Sequence, residues 1–460
     1  MTGSERRSVF SLAFLYSIRM LGLFMVLPVF MLYGQGLENA NEVLLGVAIG
    51  AYGLSQALFQ VPFGALSDKY GRKKLILIGL TVFFIGSVIA ASSSDIYGVI
   101  AGRFLQGAGA IASVLMALLS DLTSEESRTK AMALVGVSIG LSFSMALVLG
   151  PVIAGIIGLH GIFWVTASLA LFAMVWLLVF VPTPVQSLRH RDTRLFKDQL
   201  GAILANKELL RLDWGIFSLH LCITAMFIAV PISLQNQLQL PLNDHWWVYL
   251  TVMLISFFAM VPFIIVGEKK RQMRWIFLFA IFLLAMAALS SRWTQGSFVY
   301  FWCSLFFFFM AFNLLEACLP SLVSKLSPAG GKGTAMGVYS TSQFFGAFVG
   351  GVMGGWVLSV FQESGVYLLV SMVCLVWLVF AWGMANPNPE TGMTLHFATG
   401  QSQAHADRIG DELSLVNGVE EVVVIPEDNI AYLKVVKAQL DTLQLDAVHK
   451  RYSGENAPAM

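Results

Sequence analysis

Charge is what this 460-residue chain has least of: Asp, Glu, Lys and Arg together supply 12% of it, where soluble domains carry about a quarter. With 57% hydrophobic residues, that scarcity excludes a string of water-soluble domains, and 35 phenylalanines exclude a disordered chain. Cysteine is also sparse. The four present, Cys222, Cys303, Cys318 and Cys374, all fall inside apolar runs and share no ligand spacing, so neither a disulfide framework nor a metal site is expected. A net charge of +1, with the basic residues in small groups rather than one patch, argues against a nucleic-acid partner. No Gly-x-x-x-x-Gly-Lys-Ser/Thr loop occurs, which argues against an ATP-driven pump. Nothing points to covalent catalysis, so neither enzyme activity nor a cofactor is expected. Apolar sequence with sparse charge describes a polytopic, all-α membrane protein.

A helix needs about 20 apolar residues to cross the hydrocarbon core. Windows of that size lie at 10–33, 44–67, 74–93, 97–119, 130–157, 161–181, 213–238, 244–267, 273–291, 297–324, 334–360 and 364–384, which predicts twelve spans. The first is read as a retained span and not a cleaved signal, because its apolar stretch runs on to residue 33 and leads into further spans. The polar, basic stretch 183–212 divides the spans six and six. Two Lys or Arg precede span 1, four follow span 2, two follow span 4, six lie in the central loop, four follow span 8 and two follow span 10. The opposite loops hold only Arg292. By the positive-inside rule both termini and the central loop are predicted to be cytoplasmic.

The halves look related. Val61-Pro62-Phe63 at the end of span 2 recurs as Val261-Pro262-Phe263 at the end of span 8, and Asp68-Lys69 recurs as Glu268-Lys269 at the same offset of 200. Thr129-Lys130-Ala131-Met132 resembles Gly333-Thr334-Ala335-Met336 at the starts of spans 5 and 11. A duplicated six-helix unit is the architecture of alternating-access carriers, which hold substrate near the midplane between repeats. The predicted division is therefore 1–182 and 213–385 for the two halves, 183–212 for the loop between them, 386–392 for a linker and 393–460 for a soluble tail. The tail's patterns predict a strand at 394–399, a helix at 403–416, strands at 419–425 and 430–436, and a helix at 440–452.

The loop after span 2 reads Gly64-Ala-Leu-Ser-Asp68-Lys69-Tyr70-Gly71-Arg72-Lys73-Lys74. It resembles the signature loop of the major facilitator superfamily, a Gly, an acid four residues on, then Gly-Arg-Lys. Gly64 permits close helix contact, Asp68 can face the positive N-terminus of another helix, and Arg72 can fork onto Asp121. Together with Gly71 and Arg128 these residues are expected to form a conformational latch; topogenic charge alone is enough to explain Lys73 and Lys74. Arg103, Gln106 and Gly107 in span 4 resemble the superfamily's Arg-x-x-x-Gly motif. Arg103 either faces protein or a cavity, or snorkels to the interface. Gly150, Pro151 and Gly155 in span 5 resemble the motif of the drug:proton antiporter branch, with Ala154 where a further Gly is common. Pro151 makes that span pliable, and a hinge against Gly346, Gly350 and Gly354 of span 11 is expected, packing alone being the alternative.

Two more charges sit inside spans. Arg19 lies in span 1, and Glu316 in span 10 shares a face with Asn313. A lone carboxylate in a low-dielectric site can cycle protons, so Glu316 is the leading candidate for proton coupling or cation recognition, with an ion pair to Arg19 or Arg103 as the alternative. His220 reads as a hydrogen-bonded core histidine. The tail's element order resembles heavy-metal-associated, ferredoxin-like domains, but their Cys-x-x-Cys is missing and His396 and His405 do not replace it. The resemblance implies a bacterial inner-membrane secondary transporter of the major facilitator fold, exporting small amphipathic or hydrophobic compounds by proton antiport. Its expected partners are substrate, protons and membrane lipids, with the acidic tail touching the basic loops. The alternatives are a metabolite carrier that binds an anionic group through Arg19 or Arg103, and a transporter-like sensor that signals through the tail.

Overall fold

Apolar runs long enough to cross a bilayer fold as helices, because no water is present there to satisfy a bare backbone. The computed structural model describes residues 1–183, 200–270, 272–294, 296–328, 331–384, 390–397, 403–426, 429–436 and 439–453, and ten helices among them are long and apolar enough to span. Spans 1, 2 and 3 are Gly3–Phe24, Glu42–Tyr70 and Arg72–Ser92, and span 4 is interrupted into Ile96–Ala108 and Ala112–Asp121. Spans 7 to 10 are Lys207–Ile232, His245–Lys269, Met273–Ser291 and Phe298–Leu326. Two stretches each hold a pair of helices joined at a kink. Glu125–Phe180 carries spans 5 and 6 and breaks at Gly158, and Lys332–Trp382 carries spans 11 and 12 and breaks at Gln362. A straight helix of 56 residues would run about 84 Å, nearly three times the hydrocarbon thickness. The backbone therefore has to fold back there, and Gly158 does so at φ 68°, where a side chain would be strained. The ten helices thus make the twelve predicted crossings.

Spans 2 and 11 meet at the end away from the Lys/Arg loops. A Cβ on Gly46 would strike the Gly351 carbonyl, one on Gly50 would come 2.7 Å from the Phe348 carbonyl, and one on Gly53 would come 2.6 Å from that of Phe344. Toward the Lys/Arg loops the spacing changes: Gly136 and Gly140 of span 5 and Gly333 and Gly337 of span 11 have nothing within 4 Å of an added Cβ. The halves are sealed at one face and part toward the other. Span 7 is the most enclosed helix and span 8 the least.

The tail folds as a three-stranded antiparallel sheet with two helices. Strands β1 (Glu390–His396), β2 (Val419–Ile425) and β3 (Ile430–Val436) lie in the order β1-β3-β2, with Leu395 opposite Ala431 and Val423 opposite Tyr432. The helices are Gln403–Ser414 and Thr442–Tyr452, and Leu395, Ile409, Leu413, Leu433 and Leu445 fill the core between helices and sheet. Two boundaries differ from expectation. β1 begins at Glu390, inside the stretch read as linker, because pairing with the apolar strand β3 recruits Glu390, Thr391 and Gly392 regardless of their polarity. Span 7 begins at Lys207, where Asn206 caps the helix by accepting from the backbone N–H groups of Glu208 and Leu209. Residues 184–199 of the expected central loop lie outside the described residues.

Candidate substrate and proton site

In the second half, polar side chains from spans 7, 10 and 11 converge. His220 lies two turns along span 7 from Asp213, Gln343 lies one turn along span 11 from Tyr339, and helical periodicity brings each pair to one face. The Gln343 amide donates to Nε2 of His220 at 2.8 Å and to Oε1 of Glu316 at 3.3 Å. With Nε2 accepting, the neutral ring carries its proton on Nδ1, 3.9 Å from Glu316 Oε2. The Glu316 side chain is 37% exposed, yet Oε2 itself is shielded and has no hydrogen-bond partner. One carboxylate oxygen is held and the other is free, an arrangement that can take up a proton or a cation. A run of aromatic rings starts one turn away on the same helix. Phe312, one turn from Glu316, lies 6.3 Å from His220 and 6.2 Å from Phe143 of span 5, which also contacts Phe24 of span 1 at 4.9 Å.

The first half holds two buried guanidiniums. Arg19 Nη2 donates to Gln56 Oε1 at 2.8 Å, the Tyr52 hydroxyl at 3.0 Å and the Gly109 carbonyl at 3.1 Å. Arg103 donates from Nη1 to Gln106 Oε1 at 2.9 Å, and Gln106 donates on to the Ser87 hydroxyl at 2.8 Å. Its guanidinium lies 5.3 Å from the Tyr52 ring centre. Both arginines are fully enclosed and bonded to neutral oxygens. Two of the alternatives are excluded here. Arg103 does not snorkel, because Gln106 and the Ala48 carbonyl satisfy it in place. Neither arginine pairs with Glu316, whose partners are Gln343 and His220.

The other predicted residues divide. Arg72 joins Asp68 to Asp121, pairing with the first and donating from Nε to Oδ2 of the second at 3.1 Å, while Ser67 Oγ accepts at 2.6 Å. Gly71 turns the chain at φ 96°, which only glycine adopts without strain. Gly64 does not mark a close helix contact, since an added Cβ would sit at an ordinary 3.5 Å from Ser113 Oγ. The side chain of Arg128 lies outside the described residues. Asn313 turns from Glu316 to span 8, donating to Ser256 Oγ at 3.1 Å. The expected hinge pair is not formed. Gly150 abuts Met25 and Pro28, Gly155 abuts Asn243, and Gly346 and Gly350 lie on the carbonyls of Phe217 and Leu221 in span 7. The tail contact found is β1 against span 10. An acid that the sequence reading passed over, Glu5, accepts from the Ser124 N–H at 2.8 Å and so caps the start of span 5.

Duplicated six-helix halves, a sealed face opposite an open one, and the Asp68–Arg72–Asp121 ties after span 2 are features of one transporter fold. The profile of the Major Facilitator Superfamily matches residues 9–351. The chain belongs to that superfamily. Among its superfamily relatives, the inner membrane transport protein YajR of Escherichia coli K12 is 46% identical over 435 residues, 95% of each chain. Multidrug resistance protein 3 of Bacillus subtilis 168 is 24% identical, covering 72% of this chain and 56% of that one. Among solved structures, a bacterial homologue of the human lysosomal transporter Spinster, inward-facing and occupied, superposes with a TM-score of 0.69 at 12% identity, over 83% of this chain and 97% of that one. As a facilitator-superfamily member the chain is a multi-pass secondary transporter, not an enzyme.

Proposed function

We propose that this transporter exports small amphipathic or hydrophobic compounds from the cytoplasm across a bacterial inner membrane in exchange for protons, with both termini cytoplasmic. The observation that carries this reading is Glu316, a carboxylate with one free oxygen, held by Gln343 and His220 beneath an aromatic roof that bridges the halves. A carboxyl placed there can release its proton when substrate enters and recover it from the far side, which is what coupling requires. The one-sided Lys/Arg loops support the orientation, and on that orientation the open face is the cytoplasmic one. We assign the latch to Asp68, Arg72 and Asp121, and pliability to Pro151. Residues 1–182 and 213–385 act as the moving halves, with the tail as a regulator.

The test is an efflux screen of chemically diverse compounds in proteoliposomes, with and without an imposed pH gradient. Gradient-dependent flux of at least one compound, lost in Glu316→Gln, is expected; flux that ignores the gradient overturns the coupling. A second reading, transport of an anionic metabolite, has one observation in its favour: Arg19 and Arg103 are buried cations bonded only to neutral groups. Preference for anions in the same screen would select it.

A further inference from the structure

Buried polar atoms with no hydrogen-bond partner are rare in folded proteins, and each one calls for a physical reason. Twelve side-chain atoms among the described residues are in this condition. Three belong to oxygen groups that can give or take a proton in the same part of the second half: Asp213 Oδ2 on span 7, the Tyr339 hydroxyl on span 11 and Glu316 Oε2 on span 10. Asp213 is 7% exposed and Tyr339 is 3% exposed. On span 11 Tyr339 lies one turn from Gln343, whose amide holds Glu316, on the side of the Lys/Arg loops. Their order along the helices is fixed. A Cβ on Gly215 would come 3.2 Å from Leu319, which places Glu316 about a turn further from the Lys/Arg loops than Asp213. The other titratable group at Glu316 is His220, committed to Gln343 through Nε2. Arg211, two residues from Asp213, pairs with Glu208 and so does not neutralise it.

We propose that Asp213 and Tyr339 form a proton relay between Glu316 and the face that carries the Lys/Arg loops. The inference rests on the reading of Glu316 as the coupling carboxyl. In the unloading direction Glu316 gives its proton to the Tyr339 oxygen as the Tyr339 hydroxyl proton passes to the Asp213 carboxylate, each hop carried by a water that bonds the otherwise unpaired atoms. Glu316 ends ionised, Asp213 protonated and Tyr339 unchanged. Asp213 then releases the proton to water at the loop face, and no redox partner is needed. Asp213 and Tyr339 are positioning and transfer groups for the proton. They leave substrate contact to Glu316 and the rings beside it.

The experiment needs no substrate. The infrared carbonyl band of protonated Glu316, identified by its absence in Glu316→Gln, is followed in the full-length protein in proteoliposomes after a jump from acid to alkaline buffer. Tyr339→Phe and Asp213→Asn are expected to slow the decay of that band by about tenfold or more, at or below the low end of what a placed acid–base group contributes. In Tyr339→Phe the band's starting size is expected to stay unchanged, which a merely structural loss would alter. Asp213→Glu is expected to restore the rate, and Tyr339→Phe carries the test if Asp213→Asn fails to fold. Wild-type decay rates in both Tyr339→Phe and Asp213→Asn overturn the relay while leaving the coupling role of Glu316 standing. A wild-type spectrum with no pH-dependent band assignable to Glu316 overturns the coupling reading, and the relay falls with it.

Discussion

In spans 1 to 6 the charges sunk in the bundle include the guanidiniums of Arg19 and Arg103, whose hydrogen bonds go to hydroxyl, amide and carbonyl oxygens while Nε and Nη1 of Arg19 are left without a partner. In spans 7 to 12 they are carboxylates, Asp213 and Glu316, each with an oxygen left free. The same six-helix plan thus carries opposite buried charge in its two copies. An arginine stays protonated at any physiological pH, so the buried charge of the first half can hold geometry or an anion but cannot carry protons. A carboxylate can change state, so any proton traffic belongs to the second half. Duplication supplied the frame, and the charge chemistry diverged within it.

The sharpest way to break this comparison is to neutralise one charge in each half. Glu316→Gln keeps shape but cannot release a proton, and gradient-driven flux is expected to fall by about a hundredfold or more. Proteoliposome efflux under an imposed pH gradient measures it. Arg19→Met is expected to act through stability instead, lowering it by about 2 kcal/mol because three buried acceptors lose a charged donor. Thermal unfolding in detergent would show the loss, and the pH dependence of any remaining flux should match wild type. If Arg19→Met moves that pH dependence, the division of labour between the halves is wrong.

Gly351→Val addresses the sealed face, which both halves build. The new methyls meet the Gly46 carbonyl and the Gly50 backbone, so overpacking of about 1 to 3 kcal/mol is expected to weaken that seal. Cysteine labelling on the side away from the Lys/Arg loops should rise. The smallest effect is expected at the latch. Asp68 is 42% exposed, and an ion pair in that setting contributes about 0.2 to 1 kcal/mol, so Asp68→Asn should change label accessibility at the open face by only a few-fold. Asp121→Asn should exceed it, since that side chain is 10% exposed and its pair with Arg72 is better shielded.

Most of the fold was legible in the sequence because membrane insertion is a one-dimensional problem: each span announces itself by length and apolarity. The breaks at Gly158 and Gln362 left only short gaps in that pattern, because helix resumes directly on either side of each. The site was half legible. Arg19, Arg103 and Glu316 stood out because a charge in lipid is costly, whereas Tyr52, Gln56, Tyr339 and Gln343 are uncharged and carry no such signal. Asp213 was hidden at the edge of a charged loop, since the true start of span 7 at Lys207 lies six residues earlier than hydropathy placed it. The partnership of Gln343 with His220 joins residues 123 apart in the chain, and only packing could reveal it.

The strand order of the tail bears on how the protein is made. β3 occupies the middle of the sheet although it emerges from the ribosome after β1 and β2, which do not touch each other. While residues 390–425 are being synthesised, the two outer strands have nothing to pair with and no shared core to enter. Assembly of the tail must wait for Ile430–Val436, by which time all twelve crossings have already been translated. A chain that stops before β3 would therefore leave β1 and β2 with unpaired edges.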